Sequence, residues 1–354
     1  MSLPIPTSQL GLLSSKTEHI FQTFPVPQPG PNEVLIQNVA VASNPKDWKM
    51  IHWFEGYTAV EGSNVAGYVV RAGEGVTEFK GGERVAAFTR MMTKDPKYGA
   101  YIQYSVAPAS TTFQIPDSTS FEEAATLPLS LMTAVIGLFT KLPIPETPSD
   151  DKRGIIIYGA STSVGAYAVQ LAKRVGLFVI AVAGASKEYP AALGADAVID
   201  YRDQSTDALE QAIVSAAAGY NVDVAYDAIS VKGSTLLLAR ALTKTSSSGT
   251  GKVTYVSPLD EEDTKALPNG VAVERAGVNT AYGEDEQFAA RWYRKVAGWL
   301  APSESNPTPF LPNRVRLLPD GLASVPEGLE LLRTKQVHAE KLVYRIADTP
   351  QLKA

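Results

Sequence analysis

Cysteine is absent from this 354-residue sequence, so disulfides, thiolate metal sites and a cysteine nucleophile are all excluded. Histidine is also scarce. The three histidines, His19, His52 and His338, lie far apart in the sequence, and none has a partner at the spacing that a metal site on a helix or hairpin needs. The sequence therefore predicts no metal site.

Basic clusters and long apolar runs are missing as well. The formal net charge is -5, and no cluster of lysine and arginine is long enough to follow a phosphate backbone. No segment reaches the roughly 18 uninterrupted apolar residues of a membrane-spanning helix. The first residues, MSLPIPTSQLGLL, lack the basic region and apolar run of a signal peptide. We therefore expect a cytoplasmic protein that binds neither nucleic acid nor a membrane.

The composition is that of a globular protein with an adequate core. Hydrophobic residues make up 45% and charged residues 19% of the sequence, a balance unlike that of a disordered chain. Since domains usually hold about 100–200 residues, this length predicts two of them. Alternating segments at 31–40 and 62–72, with glycine-rich turns after them, predict a β-rich first part that continues to about residue 122.

The middle of the chain alternates strands with helices. Apolar strand patterns occupy residues 154–159, 177–184, 195–201, 222–228 and 252–257, with helical patterns between them. This alternation predicts a parallel sheet that is covered by helices on both faces. A proline-rich connection follows at about residue 300, and the tail then offers a strand, a helix and the strand KLVYRI. Periodicity alone does not decide which domain this tail joins.

The segment YGASTSVGAYAVQLAKRVG, residues 158–176, has the outline of a phosphate-binding turn between a strand and a helix. Gly159 and Gly165 stand at the two ends, where a tight turn and close packing of the helix on the sheet need glycine. The residues in question are Ser161, Thr162, Ser163 and Val164. Their hydroxyl groups and the free N–H groups of the first helical turn can donate hydrogen bonds to phosphate oxygens. The alternative is a tight turn that uses Gly and Ser without any ligand.

The region that meets the adenosine ribose carries no carboxylate. An NAD site usually has an acidic residue about 20 residues past the glycine turn, to bind the ribose 2′-hydroxyl. This sequence has Gly184, Ala185, Ser186 and Lys187 there instead. Ser186 and Lys187 can bind a 2′-phosphate, so the sequence predicts NADPH as the cofactor. The alternative for Lys187 is a solvated lysine at the start of a helix.

A set of motifs along the chain resembles the medium-chain dehydrogenase/reductase superfamily, in its zinc-independent quinone oxidoreductase and enoyl reductase branch. The motifs, in order, are NPKDWK (44–49), GSNVAG (62–67), GERVAAF (82–88), GAYIQYSVAPAS (99–110), EEAATLPLSLMTA (122–134), LGADAVIDYR (193–202), DVAYDAIS (223–230) and KLVYRI (341–346). The resemblance implies an α/β protein with a GroES-like β-rich catalytic domain and a doubly wound Rossmann domain. It assigns residues 1–122 and 301–354 to the catalytic domain and residues 123–300 to the NADPH-binding Rossmann domain.

Zinc-using members of the superfamily differ from this chain at their metal ligands. They place a cysteine near Lys46 or Asp47 and a histidine within the segment matched here by Gly62, Ser63 and Asn64. Neither ligand is present here. The resemblance therefore implies reduction without a metal.

The motif NPxDxKM makes the chain most similar to fungal trans-acting enoyl reductases that serve polyketide synthases. Its residues match Asn44, Pro45, Asp47, Lys49 and Met50. The resemblance implies NADPH-dependent reduction of an activated C=C bond, in the enoyl group of a polyketide or acyl thioester. The substrate would be a small molecule or bound to a carrier protein, with a polyketide synthase as candidate partner, and the chain would be a monomer. Two alternatives stay open: an NADPH quinone or small-enone oxidoreductase, and a non-catalytic NADPH-binding scaffold.

The resemblance also implies roles for individual residues. Lys49 and Thr133 would lie in the reaction cleft, and Tyr57 is a candidate proton donor. The other expected cofactor contacts are Lys46, Asp47, Trp48 and Lys49 beside the nicotinamide, Tyr201 near the adenosine phosphate, and Leu342 and Val343 in the returning segment. The expected acyl channel consists of Ala134, Val135, Ile136, Gly137, Leu138, Phe139 and Thr140. The alternatives are a surface lysine for Lys49, a helix hydroxyl for Thr133, a half-buried aromatic residue for Tyr57 and a strand-end aromatic residue for Tyr201.

Overall fold

A computed structural model describes residues 5–149, 151–304 and 306–353. The strands are β1 Ser8–Ser14, β2 His19–Pro25, β3 Glu33–Ala42, β4 Ala59–Val60, β5 Asn64–Ala72, β6 Arg84–Phe88, β7 Tyr104–Pro108, β8 Thr112–Gln114, β9 Arg153–Tyr158, β10 Phe178–Ala183, β11 Ala197–Asp200, β12 Asn221–Asp227, β13 Gly251–Tyr255, β14 Val271–Arg275, β15 Val315–Leu318 and β16 Lys341–Arg345. The α-helices are α1 Pro45–Trp53, α2 Phe121–Ala125, α3 Pro128–Ile136, α4 Ser163–Arg174, α5 Glu188–Ala192, α6 Thr206–Ala216, α7 Ser234–Thr245, α8 Glu261–Lys265, α9 Glu286–Ala297 and α10 Val325–Arg333. A π-helix, Gly137–Lys141, continues α3, and short 3₁₀ helices occupy Pro96–Tyr98, Ala109–Thr111, Val278–Tyr282, Gly321–Ser324, Ile346–Asp348 and Pro350–Leu352.

The chain divides into two compact units, residues 1–129 with 279–354 and residues 130–278. The first unit contains a mixed sheet in the order β15-β16-β3-β5-β6-β8, with β7 also paired to β3, and a smaller sheet β2-β1-β4. Strand β3 is long and apolar, and nearly all of its residues are buried, because it is covered on both faces. The tail strand β16 pairs antiparallel with β3, so the tail belongs to the first unit.

Several strands of the first unit end at the same level. Val343, Ala42, Asn64 and Phe88 form a row across β16, β3, β5 and β6. The residues just beyond this row therefore gather at one end of the sheet, which we call the polar end. Their backbones are tied together there, since Ser43 N–H donates to the Leu342 carbonyl at 3.1 Å and Thr89 N–H donates to the Ser63 carbonyl at 3.0 Å.

The second unit is built on a six-stranded parallel sheet in the order β11-β10-β9-β12-β13-β14. The strand order reverses between β9 and β12, which is the arrangement of a Rossmann fold. The predicted parallel sheet with helical crossovers is thereby confirmed. The side chain of Tyr226 crosses from β12 to the end of α3, where its hydroxyl donates to the Thr133 carbonyl at 2.8 Å. Only glycine fits at position 137, because a Cβ there would lie 2.7 Å from the Tyr226 hydroxyl.

The unit boundaries differ from the predicted ones at residues 122 and 300. Helix α9 packs within the first unit, where the Tyr293 hydroxyl donates to the Pro128 carbonyl at 2.8 Å and its ring stacks on Phe113 at 5.0 Å between centroids. Arg294 forms an ion pair with Glu78 at 2.7 Å. These contacts draw residues 279–300 into the first unit, an outcome that helical periodicity alone could not indicate.

Within the part of the chain that the structure describes, no helix is both long and apolar enough to cross a membrane.

Candidate active site

The turn after β9 has the shape that a phosphate-binding turn needs. Gly159 adopts a φ of 72°, in the left-handed region that favours glycine. Thr162 caps helix α4, because its Oγ1 accepts a hydrogen bond from the Gly165 N–H at 3.1 Å. The predicted phosphate ligands at residues 161–164 are half-buried at the helix N-terminus, where the helix dipole favours an anion. The described residues of this turn therefore suit a dinucleotide pyrophosphate.

Substituting Gly165 by alanine is expected to destabilise this turn. The added Cβ would lie 2.3 Å from the Gly159 carbonyl oxygen, and backbone cannot move aside as a flexible side chain can. We expect a clear fall in the midpoint of thermal unfolding, together with weaker cofactor binding. Gly298→Ala is the matched control, since its nearest neighbour would be 3.5 Å away. Equal melting temperatures for the two variants would contradict the proposed close approach.

Two cations share one carboxylate where the ribose phosphate is expected. Asp200 ends β11 and accepts hydrogen bonds from Arg202, with Nη2 2.7 Å from Oδ2, while Lys187 Nζ lies 3.3 Å from the same oxygen. The hydrogen bonds from Arg202, followed by the contact with Lys187, hold the pKa of Asp200 well below its usual range. Sequence reasoning missed Arg202, although it directly follows Tyr201 in the segment VIDYR. The trio carries a net positive charge, which suits a phosphate group.

Tyr201 lies against the turn that follows β10. Its ring stacks on Tyr158 with 5.9 Å between centroids, and a Cβ at Gly184 would lie 2.7 Å from its hydroxyl. The ring is 42% exposed, so one part of it remains accessible to a ligand. Tyr201 is thus positioned by packing within the second unit, and its contact with the adenosine end of the cofactor stays a prediction.

A buried cluster of charges lies at the polar end of the first unit. The Lys46 ammonium is 2.8 Å from Asp47 Oδ1 and 2.6 Å from Glu61 Oε2. The other Glu61 oxygen accepts a hydrogen bond from the Tyr57 hydroxyl at 2.6 Å, and Asp47 Oδ2 accepts one from the Tyr101 hydroxyl at 2.8 Å. Burial acts to lower the pKa of Lys46, but the two carboxylates outweigh it and raise that pKa. We call these five residues the lysine cluster.

The lysine cluster changes the interpretation of two predicted site residues. Asp47 is fully buried, and its carboxylate is held by Lys46, Tyr101 and the Asn44 N–H, so its place beside the nicotinamide stays a prediction that these contacts do not favour. The single proton of the Tyr57 hydroxyl is held by Glu61, and burial followed by that carboxylate raises the pKa of Tyr57. A phenol with a raised pKa is a weaker acid. This geometry weighs against Tyr57 as proton donor.

The residues at the polar end do not fit a zinc ion. Zinc requires thiolate, imidazole or carboxylate ligands in a tetrahedral set. Ser63 and Asn64 occupy the segment that carries a histidine ligand in zinc-using members. Asp47 and Glu61 are carboxylates, but each already binds the Lys46 ammonium. Within residues 5–149, 151–304 and 306–353, no group of three or more His, Asp or Glu residues could hold a metal ion.

A second set of polar groups at the polar end was not predicted from sequence. Lys341, the first residue of β16, is 3% exposed, and its ammonium donates to Asn44 Oδ1. Burial lowers the pKa of Lys341 to about 7, although the Asp47 charge acts to raise it. Among the described residues, Asn44 Nδ2, Ser63 Oγ and Thr89 Oγ1 are buried and have no hydrogen-bond partner. These groups lie at one end of the sheet because neighbouring strands end there, and no local sequence pattern indicates this.

The remaining predicted site residues divide between the two units. In the first unit, Lys49 and Trp48 are half-buried on α1, with the Lys49 ammonium 5.1 Å from the centroid of the Trp53 ring. Leu342 and Val343 lie in β16 and are almost fully buried, and their contact with a cofactor stays a prediction. In the second unit, Thr133 is 6% exposed on α3.

The predicted acyl channel is largely closed to solvent. Residues 134–138 are buried, with Ala134, Val135, Ile136 and Leu138 fully enclosed. Gly137 lies against the Tyr226 side chain. Their place along an acyl channel stays a prediction. Phe139 and Thr140 are half-buried and keep some accessible surface.

Comparisons with known proteins agree with this architecture. The family model of the alcohol dehydrogenase GroES-like domain matches residues 30–117, and the zinc-binding dehydrogenase model matches residues 163–290. The structure of mycobacterial Rv1454c complexed with NADPH superimposes with a TM-score of 0.73 and 22% identity, covering 95% of this chain and 99% of that one. This likeness and the GroES-like match confirm the predicted fold class.

Two curated relatives are trans-enoyl reductases. The chain is 38% identical over 281 residues to trans-enoyl reductase fsr4 of Gibberella fujikuroi, covering 77% of this chain and 80% of that protein. It is 31% identical over 372 aligned positions to trans-enoyl reductase caaB of Aspergillus niger, covering 97% of this chain and 98% of the relative. The chain therefore belongs to the trans-enoyl reductase family of the medium-chain dehydrogenase/reductases, oxidoreductases that use a nicotinamide cofactor.

Proposed function

We propose that this oxidoreductase reduces the C=C bond of an enoyl thioester, with NADPH as the hydride donor. The observation that supports the choice of NADPH is the Lys187–Asp200–Arg202 arrangement, in which two cations share one carboxylate. These cations would bind the 2′-phosphate. The enoyl substrate is proposed from the relatives that are trans-enoyl reductases. Residues Ser161, Thr162, Ser163 and Val164 would bind the pyrophosphate, and Ser186 and Tyr201 would join the two cations around the adenosine phosphate.

The residues of the chain act mainly by binding and orientation. When bound, NADPH supplies a hydride for the β-carbon of the substrate. Holding the two reactants at van der Waals distance can supply much of the acceleration. As negative charge develops on the thioester oxygen, nearby hydrogen-bond donors stabilise it. We propose Lys49 and Thr133 as further contacts of the reacting groups. The proposed contacts of the nicotinamide are Lys46, Asp47, Trp48, Leu342 and Val343.

We further propose that the acyl group arrives on a carrier protein of a polyketide synthase and that the enzyme acts as a monomer. Phe139 and Thr140, which remain partly accessible, would contact the acyl chain. The proposed domains are a catalytic domain and an NADPH-binding domain that follow the two compact units. A cytoplasmic location stays a prediction.

The test compares three acceptors at fixed NADPH, with oxidation of the cofactor followed by absorbance. We expect turnover of crotonyl-CoA, and faster turnover of the same enoyl group on an acyl carrier protein. NADH in place of NADPH is expected to give a much higher KM. Rapid reduction of a 1,4-quinone without any enoyl reduction would favour the quinone reductase alternative instead. NADPH binding without oxidation by any acceptor would favour the scaffold alternative.

A further inference from the structure

We propose that the Asn44 carboxamide, oriented by Lys341 and flanked by the Ser63 hydroxyl, donates the hydrogen bond that stabilises the thioester oxygen of the substrate during reduction. The inference rests on the proposed function and adds to it the group that receives the developing negative charge. Lys341 is a positioning residue in this proposal, and Asn44 is the residue that touches the substrate.

The orientation of the Asn44 side chain follows from its partner. Lys341 Nζ donates to the Asn44 carbonyl oxygen Oδ1, the orientation that a protonated Lys341 enforces because an ammonium group can only donate. The amide nitrogen Nδ2 therefore points the other way, with two N–H donors. Residue 44 is 1% exposed, and Nδ2 has no hydrogen-bond partner among the described residues. Burying a donor without an acceptor costs free energy, so an unpaired amide held in a fixed orientation needs a reason.

Two other buried asparagines of the first unit use their Nδ2 donors within the fold. Asn38, on strand β3, donates through Nδ2 to the Ile102 carbonyl at 2.8 Å and to Ser105 Oγ at 2.7 Å. Asn64 Nδ2 donates to the Ala125 carbonyl at 3.0 Å. Both amides serve the fold. The Asn44 amide does not, although it is buried to the same degree.

Two further hydroxyls at the polar end suit an anionic oxygen. Ser63, which precedes β5, and Thr89, which follows β6, are fully buried, and their hydroxyls have no partner among the described residues. Hydroxyl groups can rotate to donate toward an oxygen atom. Lys341, when protonated, adds positive charge beside the Asn44 amide, and the Asp47 carboxylate opposes that charge. Such preorganised donors are worth most where charge develops in a water-excluded site.

The chemistry of the step is balanced by the proposed reaction. A hydride from the nicotinamide forms a bond to the β-carbon, the π electrons of the C=C bond shift toward the α-carbon, and the carbonyl π electrons move onto the thioester oxygen. Asn44 donates a hydrogen bond to that oxygen and keeps its proton. The enolate then collapses as the α-carbon takes a proton from water. Because the bond to Asn44 strengthens only as the oxygen becomes negative, its loss is expected in kcat rather than in KM.

The decisive variant is Asn44→Asp, which keeps the shape and the contact with Lys341 but replaces two donors by acceptors. We expect kcat for crotonyl-CoA to fall by about 10²–10³-fold, the effect typical of losing one oxyanion donor. The KM for crotonyl-CoA and the Kd for NADPH should stay close to the wild-type values. Asn38→Ala is the matched control, because it removes a buried asparagine of β3 that is bonded only within the fold. The folded fraction of the Asn38→Ala protein is expected to reduce crotonyl-CoA with the wild-type kcat.

A double-mutant cycle tests the role of Lys341. Lys341→Met should lower kcat because it frees the Asn44 amide to rotate, while Lys341→Arg should restore part of the rate. If Lys341 acts through Asn44, the variant carrying both Asn44→Ala and Lys341→Met will lose no more activity than Asn44→Ala alone. Fully additive losses would overturn the positioning role.

An activity-independent measurement covers variants that fold poorly. Infrared spectra of a saturated acyl-CoA, labelled with ¹³C at the thioester carbonyl and bound with NADP⁺, should show a carbonyl stretch at lower frequency in the wild type than in Asn44→Asp. Identical frequencies together with unchanged kcat would overturn the proposal. If the wild type reduces no enoyl thioester, the proposed function itself fails; if the wild type does and Asn44→Asp equals it, only this inference fails.

Discussion

Replacing Lys46 with methionine is expected to lower the free energy of unfolding by about 3–5 kcal/mol, the cost of removing one partner of a buried ion pair. The methionine would fill much of the same space but leave Asp47 and Glu61, which are 0% and 3% exposed, without their shared cation. Two uncompensated carboxylates within one cluster also repel each other. Chemical denaturation followed by circular dichroism measures the change directly.

Two further variants make this expectation specific. Lys265→Met removes a lysine that pairs with Glu261 on the surface, where both side chains are more than three-quarters exposed, so it should change stability by only a few tenths of a kcal/mol. Combining Lys46→Met with Glu61→Gln removes one of the two unpaired carboxylate charges. The double variant should therefore recover part of the lost free energy of unfolding. A Lys46→Met protein as stable as Lys265→Met would show that the carboxylates are not buried as described.

Removing both cations beside Asp200 is expected to raise the KM for NADPH by about 100-fold or more. Each charge-assisted hydrogen bond to a phosphate contributes about 1.5–3 kcal/mol, and 1.4 kcal/mol corresponds to a factor of ten. The variant carries Lys187→Ala and Arg202→Ala, which also leaves Asp200 without its cations and therefore repulsive to a phosphate. The KM for NADH should stay the same or fall, because a carboxylate here suits a ribose hydroxyl.

The ratio of the two KM values is the diagnostic measurement. Lys173→Ala serves as the control, since Lys173 pairs with Asp196 at 2.7 Å in the same unit and is not part of the predicted cofactor site. It should leave both KM values unchanged. If the double variant raised the KM for NADPH and the KM for NADH equally, Lys187 and Arg202 would stabilise the turn rather than bind the 2′-phosphate.

Local patterns in the sequence were sufficient to predict most strands of the second unit. The five predicted strands correspond to β9 to β13, because each is a short apolar run between turn residues. Strand β14 was missed, since VAVER is mostly half-exposed and carries charges. Strands β1 and β2 were also missed, because they form a small sheet whose second strand is largely accessible.

The candidate site could be predicted only where it is local in sequence. The turn at 158–165 is a single continuous segment, so its glycines and hydroxyls already indicated its geometry. The lysine cluster joins residues 46 and 101, and the contact between Lys341 and Asn44 spans 297 residues. Periodicity and spacing do not indicate such pairings, and the contact between Lys341 and Asn44 forms because β16 returns to lie beside β3.

The pairing of β16 with β3 has a consequence for biosynthesis. The second unit is one uninterrupted stretch of chain, so it can fold while translation continues, as domains generally do. The first unit must wait, since its central strand β3 gains the neighbour that carries Lys341 only when residues 341–345 have left the ribosome. Nascent chains that end before residue 345 should therefore contain a folded second unit and an unfinished first unit.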